Sequence, residues 1–380
     1  MDVIHQTLNG ILGFVVILIP LIIVHELGHL LAGKALGVWA PEFGIGLPPR
    51  LLKLFRWKET QFTLNALPLG GFVRFEGEGD MPPTPEEEAL LNRRSEEEVR
   101  EAEAHSLYAQ PPLKRILIYA AGPVMNIFIA FLAATLIFSI SYPLLQVRVI
   151  QVEAGMPAAQ AGLQADDIIL KVADTPIETT EQVIELIQAH AQRPVTLEVK
   201  RGEEILQLQT TPVLDPQTQT ARIGIQIGSE PVPGRYKRYP LLKAMQMGSA
   251  LIAVMGTELV MLPVRLISGA MTLQEARPTG VIGISRMSGY ALSQSASTGS
   301  PYLVFSLMAM VSLSLGIFNL LPIPALDGGR VLTTLVELVS HKPLTGQAQE
   351  RIHQVAFFVL LALLIAITVY DIVNPIPLPQ

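Results

Sequence analysis

The stretch IVHELGHLLAG, residues 23–33, lies inside a long apolar run yet carries two histidines and a glutamate. An ionisable side chain at bilayer depth costs roughly 2.5–3.5 kcal/mol on insertion scales, so such groups face a protein interior or a water pocket rather than lipid. Three of them so close together need a purpose. On a helix His25 and His29 are four positions apart and share a face, so both imidazoles can reach one ion while Glu26 lies beside them. Two neutral imidazoles suit Zn2+ at ~2.0–2.1 Å, and a catalytic zinc site adds a third protein ligand and keeps one position for water. Glu26 is then free to take that water's proton. The competing reading is a buried hydrogen-bond network of the same three groups. Metal-ligand spacing inside an apolar span favours the ion.

Composition identifies the solvent around that stretch. Of 380 residues, 50% are hydrophobic and 16% charged, more apolar than an average soluble domain, which points to a multi-pass membrane protein in contact with the lipid bilayer. A net charge of −6 and the lack of any Lys/Arg cluster interleaved with aromatics argue against a nucleic-acid partner. The chain has no cysteine, so disulfides, thiolate catalysis and cysteine metal ligands are excluded, and His, Asp and Glu remain for a metal site.

Four runs approach the ~20 apolar residues a bilayer requires: about Ile11–Leu36, Ile116–Ile140, Leu303–Leu326 and the shorter Val355–Tyr370. A fifth region, Leu241–Met271, is interrupted by Lys243, Glu258 and Arg265 and reads as an interfacial or partly inserted helix. Residues 1–10 hold no Lys or Arg and no small-residue cleavage pattern follows, so the first run reads as a span rather than a signal peptide. Arg50, Lys53, Arg56, Lys58, Lys114 and Arg115 flank spans one and two, and Arg330, Lys342 and Arg351 lie between spans three and four. The positive-inside rule puts these loops in the cytoplasm and both termini outside, in a plasma (inner) membrane.

A third ligand should come from another span at similar depth. Glu258, Asp327 and Asp371 are the carboxylates associated with apolar segments. Asp327 ends GIFNLLPIPALDGGR, where Pro322 and Pro324 break the helix and Gly328 and Gly329 free the backbone behind it. Irregular backbone at membrane depth survives only where protein or a water cavity covers it, so Asp327 is the preferred ligand.

The soluble regions differ in character. Residues 77–112 are acidic and turn-rich and then mixed in charge, as a solvated surface insertion would be. Residues 147–228 contain alternating strand patterns, VRVIQV and VTLEVKR, and a helically spaced TEQVIELIQAHA, as in a small α+β domain. The histidines His5, His105, His190, His341 and His353 lack a partner at ligand spacing and read as ordinary surface or interfacial residues.

His25-Glu26-Leu27-Gly28-His29 together with N-x-x-P-x-P-x-x-D-G from Asn319 to Gly328 resembles the site-2 protease family of intramembrane zinc metalloproteases, and within it the bacterial group of the regulator-of-sigma-E protease. FGIG at 43–46, FTLNALPLGGFVRFEG at 62–77 and AAGPVMN at 120–126 are similar to further parts of that family, and GMPAAQAGL from Gly155 is similar to the opening of a PDZ domain. The last pattern departs at Asp166-Asp167, where Gly-Asp is usual, so the turn there must change or tolerate strain. The resemblance implies that His25, His29 and Asp327 bind Zn2+, that Glu26 is the general base, and that Asn319, Pro322 and Pro324 shape the substrate's path. In a β-hairpin over 62–76, strands Phe62–Ala66 and Phe72–Phe75 would flank a turn containing Gly70 and Gly71, with an exposed edge for an unwound substrate. In span two, Gly122 would allow close helix approach and Asn126 a buried polar contact, without a catalytic role.

The expected fold is therefore a multi-pass α-helical membrane protein with about four transmembrane helices, a cytoplasmic-side membrane-associated β-hairpin and one inserted α+β PDZ domain. Its expected parts are a catalytic membrane domain at 1–140 and 303–374, the PDZ domain at 147–228 outside the cell, and the interfacial helix at 241–271. The expected function is intramembrane zinc endopeptidase, cutting single-span membrane protein substrates such as anti-sigma factors or signal-peptide remnants in regulated intramembrane proteolysis. A proton-coupled transporter could use His25, Glu26 and Asp327 as a relay, but the spans show no internal repeat. A silent PDZ membrane scaffold would have no need of His-Glu-His.

Overall fold

A computed structural model describes residues 2–78, 95–215, 220–272, 276–277, 279–341 and 346–375. The chain forms two compact units, Met1–Ser139 with Tyr239–Gln380, and Ile140–Arg238. In chain order, helix α1 (Asp2–Ala35) leads into strands β1 (Glu42–Trp57) and β2 (Thr60–Arg74), helix α2 (Glu96–Ala104) and helix α3 (Pro112–Ile140). The inserted unit follows with β3 (Tyr142–Val152), β4 (Ile168–Val172), α4 (Thr180–Ala189), β5 (Val195–Arg201), β6 (Glu204–Thr210) and β7 (Ile225–Lys237). The chain then returns through α5 (Leu241–Ile267), α6 (Val281–Thr298), α7 (Tyr302–Asn319), α8 (Asp327–Ser340) and α9 (Gly346–Val373).

Five of the described helices, α1, α3, α5, α7 and α9, contain stretches long and apolar enough to cross a membrane, against the four spans expected from sequence. The difference is α5, an unbroken helix in which Glu258 and Arg265, seven residues apart on one face, form a two-point ion pair at 2.5 and 2.9 Å. Paired, the two charges burden the helix less than their count suggests. Helix α6 was not expected at all. Its small residues pack on α1, with Ser288 and Gly289 against Gly13 and Ser285 against Gly10, as polar helices pack when close approach replaces apolar bulk.

The β region also differs from the expected hairpin. β1 and β2 pair antiparallel with Trp57 opposite Thr60 and Gly44 opposite Phe72, but Gly44 also faces Thr63. Residues 42–45 therefore lie between 61–64 and 71–74, and the two stretches read as hairpin partners do not pair with each other. Phe43, 1% exposed and 5.0 Å from the Phe62 ring, explains the choice: the insertion buries an aromatic pair. Residues 71–74 are left as an outer strand. Of the acidic insertion, 79–94 lie outside the described residues. Of its described remainder, helix α2 is exposed except at Ala102, as a solvated insertion would be, while the segment after it is packed, with Leu107 fully buried and His105 stacked on Trp39 at 4.8 Å. The side chains of His5, Lys342, Arg351 and His353 lie outside the described residues.

The inserted unit is a sheet in the order β7-β3-β4-β5-β6. Val195, Leu197 and Val199 alternate inward on β5 to meet Val147, Val149, Ile169 and the α4 residues Val183 and Ile187, the period-two pattern of a half-buried strand. The unit is longer at both ends than 147–228, because Tyr142 pairs with Lys237 and Pro143 with Tyr236. At the departure from the glycine pattern, Asp166 adopts φ 74°, and an ion pair to Arg148 at 2.8 Å accompanies that left-handed turn. Beside it the wholly buried Asp167 is pushed up by burial, but Arg201 on both its oxygens and the Gln164 N–H outweigh this and hold it below the usual carboxylate range.

Candidate active site

Helix α1 crosses α3 at Gly28 and Gly122, close enough that a Cβ at Gly122 would overlap the His29 ring. The crossing seats His29 in α3's flank, where its Nδ1 donates to the Ile118 carbonyl at 2.8 Å. A neutral imidazole that donates from Nδ1 presents a lone pair at Nε2. That atom lies 3.2 Å from His25 Nε2.

Asp327 arrives from the other half of the unit. Helix α7 ends at Asn319, the segment 320–326 turns, and Asp327 opens α8. Pro322 and Pro324 break the chain here as expected. The two glycines do not free the backbone, however: Gly328 and Gly329 are buried in the first turn of α8, packed against the carbonyls of Leu320, Leu321 and Ile323, while Ala325 carries the left-handed φ of 76°. This turn brings Asp327 Oδ2 to 3.1 Å from His25 Nε2 and 3.4 Å from His29 Nε2. Tetrahedral ligands at ~2.0–2.1 Å from one ion lie roughly 3.3 Å apart. The observed triangle of 3.1, 3.2 and 3.4 Å has that size. Two imidazole nitrogens and a carboxylate oxygen are also a donor set zinc accepts, so the residues fit the metal.

The three atoms open onto a cleft of about 250 Å³, lined in addition by Glu26, Gly71–Phe75, Glu78, Tyr119, Ala325 and Arg330. A side chain at Gly71 would meet Glu26 Cγ at 3.0 Å, so the outer strand passes directly over the carboxylate. Of the residues singled out from sequence, His25, His29 and Asp327 converge, and Glu26 and Gly71 share their cleft. Gly70, Asn319, Pro322 and Pro324 are not among its lining. Asn126, given no role beyond a buried contact, reaches His25 Nδ1 at 3.2 Å.

The cleft has residues that sequence reading did not single out. Arg330 follows Asp327 by one helical turn, pairs with Glu78 at 2.5 Å and lies over the Tyr119 ring at 5.6 Å. Its spacing of three from Asp327 was the available signal. Tyr119 had none beyond its place one turn before Gly122.

A profile of peptidase family M50 matches residues 13–363. A protein of Clostridium perfringens named as a zinc metalloprotease is 30% identical over 359 residues, covering 94% of this chain and 96% of its own. Metalloprotease MmpA of Caulobacter vibrioides is 29% identical over 362 residues, covering 89% and 90%. Among solved structures, the PDZ domain of an SdrC-like protein from Listeria monocytogenes is similar to 21% of this chain and 85% of its own, at 24% identity and a TM-score of 0.20. The family match begins before His25 and runs past Asp327, taking in nearly the whole sequence, and so the chain belongs to peptidase family M50.

Proposed function

We propose that this peptidase is an intramembrane zinc endopeptidase that cleaves single-span membrane proteins within or near the bilayer, in regulated intramembrane proteolysis. The observation that carries the reading is the triangle of His25, His29 and Asp327 beside Glu26, on helices apolar enough to lie in a membrane. A proton relay or a silent scaffold would have no use for three metal-binding atoms at zinc spacing. The zinc metalloprotease names of the relatives support the same metal. His25, His29 and Asp327 would hold the ion, which when bound would polarise the scissile carbonyl and acidify a water.

The remaining steps belong to the chain. Peptide bonds inside a helix are shielded, so the substrate must unwind. The outer strand 71–74, paired with β1 on one side only among the described residues, offers its other edge to the extended segment. Gly70, Asn319, Pro322 and Pro324 act outside the cleft, shaping the approach to it. Glu26 takes the proton from the attacking water and returns it to the leaving amine nitrogen. Loop charges support an orientation with the cleft towards the cytoplasm and both termini and the inserted unit, read as one PDZ domain, outside, which requires an even number of crossings and so places α5 along the membrane surface rather than across it.

The test uses the full chain purified in detergent with a single-span model substrate. Glu26→Gln should keep zinc at the parental level and lose at least about 100-fold in hydrolysis, since an amide cannot accept the water's proton. Comparable activity in mutant and parent would remove Glu26 from this role.

A further inference from the structure

His29 has its tautomer set by the backbone, through Nδ1–H to the Ile118 carbonyl. His25 has no carbonyl in that position. Its Nδ1 faces the side-chain amide of Asn126, from α3, at 3.2 Å. As placed, the amide turns its NH2 to the ring and leaves Oδ1 buried without a partner. Turning the amide by 180° exchanges two atoms of nearly equal size and brings Oδ1 to the ring, where it accepts the Nδ1 proton that His25 must carry if it binds a metal through Nε2. Its Nε2 then offers a lone pair at the point where His29 Nε2 and Asp327 Oδ2 converge. The opposite tautomer would aim an N–H into that point, where it could not bind a metal.

We propose that Asn126 is a positioning residue for the metal centre: its Oδ1 accepts the Nδ1 proton of His25 and thereby fixes the ring's tautomer and orientation for metal binding. Asn126 is itself fixed, at 1% exposure, and its backbone carbonyl accepts from Ser312 Oγ of α7 at 2.7 Å. One residue of α3 thus joins the helix bearing the histidines to the helix that leads to Asp327. The inference rests on the zinc reading above.

The experiment measures zinc affinity of the detergent-purified full chain by competition with a chelator, without reference to turnover. Asn126→Leu, close in size but with no acceptor, should weaken zinc 10–100-fold, the range found when a ligand's supporting partner is removed. Asn126→Asp keeps an acceptor and should stay within a few-fold of the parent. A purely structural polar contact would not give this rescue. Parental affinity in Asn126→Leu, or an equal loss in both variants, overturns the inference while leaving the zinc reading intact. A parent that binds no zinc sinks the zinc reading itself. Should Asn126→Leu fail to fold, 15N NMR of histidine-labelled parent, with His25 assigned by its alanine variant, decides the matter: a ring protonated at Nδ1 supports the assignment and one protonated at Nε2 refutes it.

Discussion

Besides Glu26, three carboxylates associated with the apolar segments are answered in three ways. Asp327 faces two imidazole nitrogens, Glu258 pairs with Arg265, and Asp371 accepts the backbone N–H groups of Gly280 and Gly283. Only the first has neighbours that can share a metal. Asp327→Ala should therefore lower zinc affinity by more than about 100-fold, beyond the effect of losing a supporting partner, and Glu258→Ala should leave it unchanged. Metal content of the two purified variants decides. Zinc that survives the first change and falls with the second would mean the ligand is Glu258. The convergence of His25, His29 and Asp327 was legible because its parts are local: a spacing of four on one helix, and an aspartate behind two prolines. Its supports were legible only in part: Gly122 reads as a close helix approach and Asn126 as a buried polar contact, but nothing in their own neighbourhoods, or in that of Ile118, announces that the histidines lie opposite.

At the level of elements, the strand-forming stretches were legible but their arrangement was not. Residues 62–66 and 72–74 belong to one strand, β2, rather than to two strands about a turn, and a local pattern cannot say that Phe43 will pair with both Phe62 and Val73. Helix α6 escaped notice because its sequence, VIGISRMSGYALSQSAST, is too polar for a span. It is held instead by small residues against α1 and by a clasp from the far end of the chain. Asp371, 2% exposed near the end of α9, accepts from Gly280 at 2.8 Å and Gly283 at 3.1 Å, the N-cap residue of α6 and an amide of its first turn. Arg277 adds its guanidinium at 3.4 Å. A carboxylate there satisfies amides that have no partner within the helix and lies at the favourable end of the helix dipole. Asp371→Ala should lower stability by about 3 kcal/mol, as two charge-assisted hydrogen bonds are lost and two amides are left bare. Asp371→Asn, with one acceptor oxygen, should recover part of this. Denaturation of detergent-solubilised protein measures both, and an alanine variant as stable as the parent would leave the clasp without energetic weight.

For the molecule as a whole, the inserted unit was visible in its alternating strands, but not its full extent. Its last strand, β7, carries Pro231, which the outer position of β7 in the sheet tolerates. The true ends matter for what can be done with the unit. On the helical unit the two points of insertion adjoin, with Tyr239 N donating to Phe138 O at 3.0 Å and their rings 6.4 Å apart. On the inserted unit the first and last strands pair from Tyr142 to Lys237. Chain therefore leaves and returns at one place, so removing Ile140–Arg238 and joining Ser139 to Tyr239 through a short Gly-Ser linker should leave the helical unit folded and its zinc in place. The question is whether such a unit recruits substrates or excludes them. A PDZ-type domain that captured a C-terminal carboxylate would want free positive charge, yet the protein is acidic overall and Arg148 and Arg201 beside the turn are engaged by Asp166 and Asp167. We propose exclusion of proteins with bulky extracytoplasmic parts as the role of the unit. Deletion should then leave cleavage of a pre-shortened single-span substrate unchanged and raise cleavage of its full-length form, both read by gel assay. If the deletion abolishes cleavage of the shortened form while zinc and folding are retained, the unit is a substrate receptor, and the gate reading is wrong.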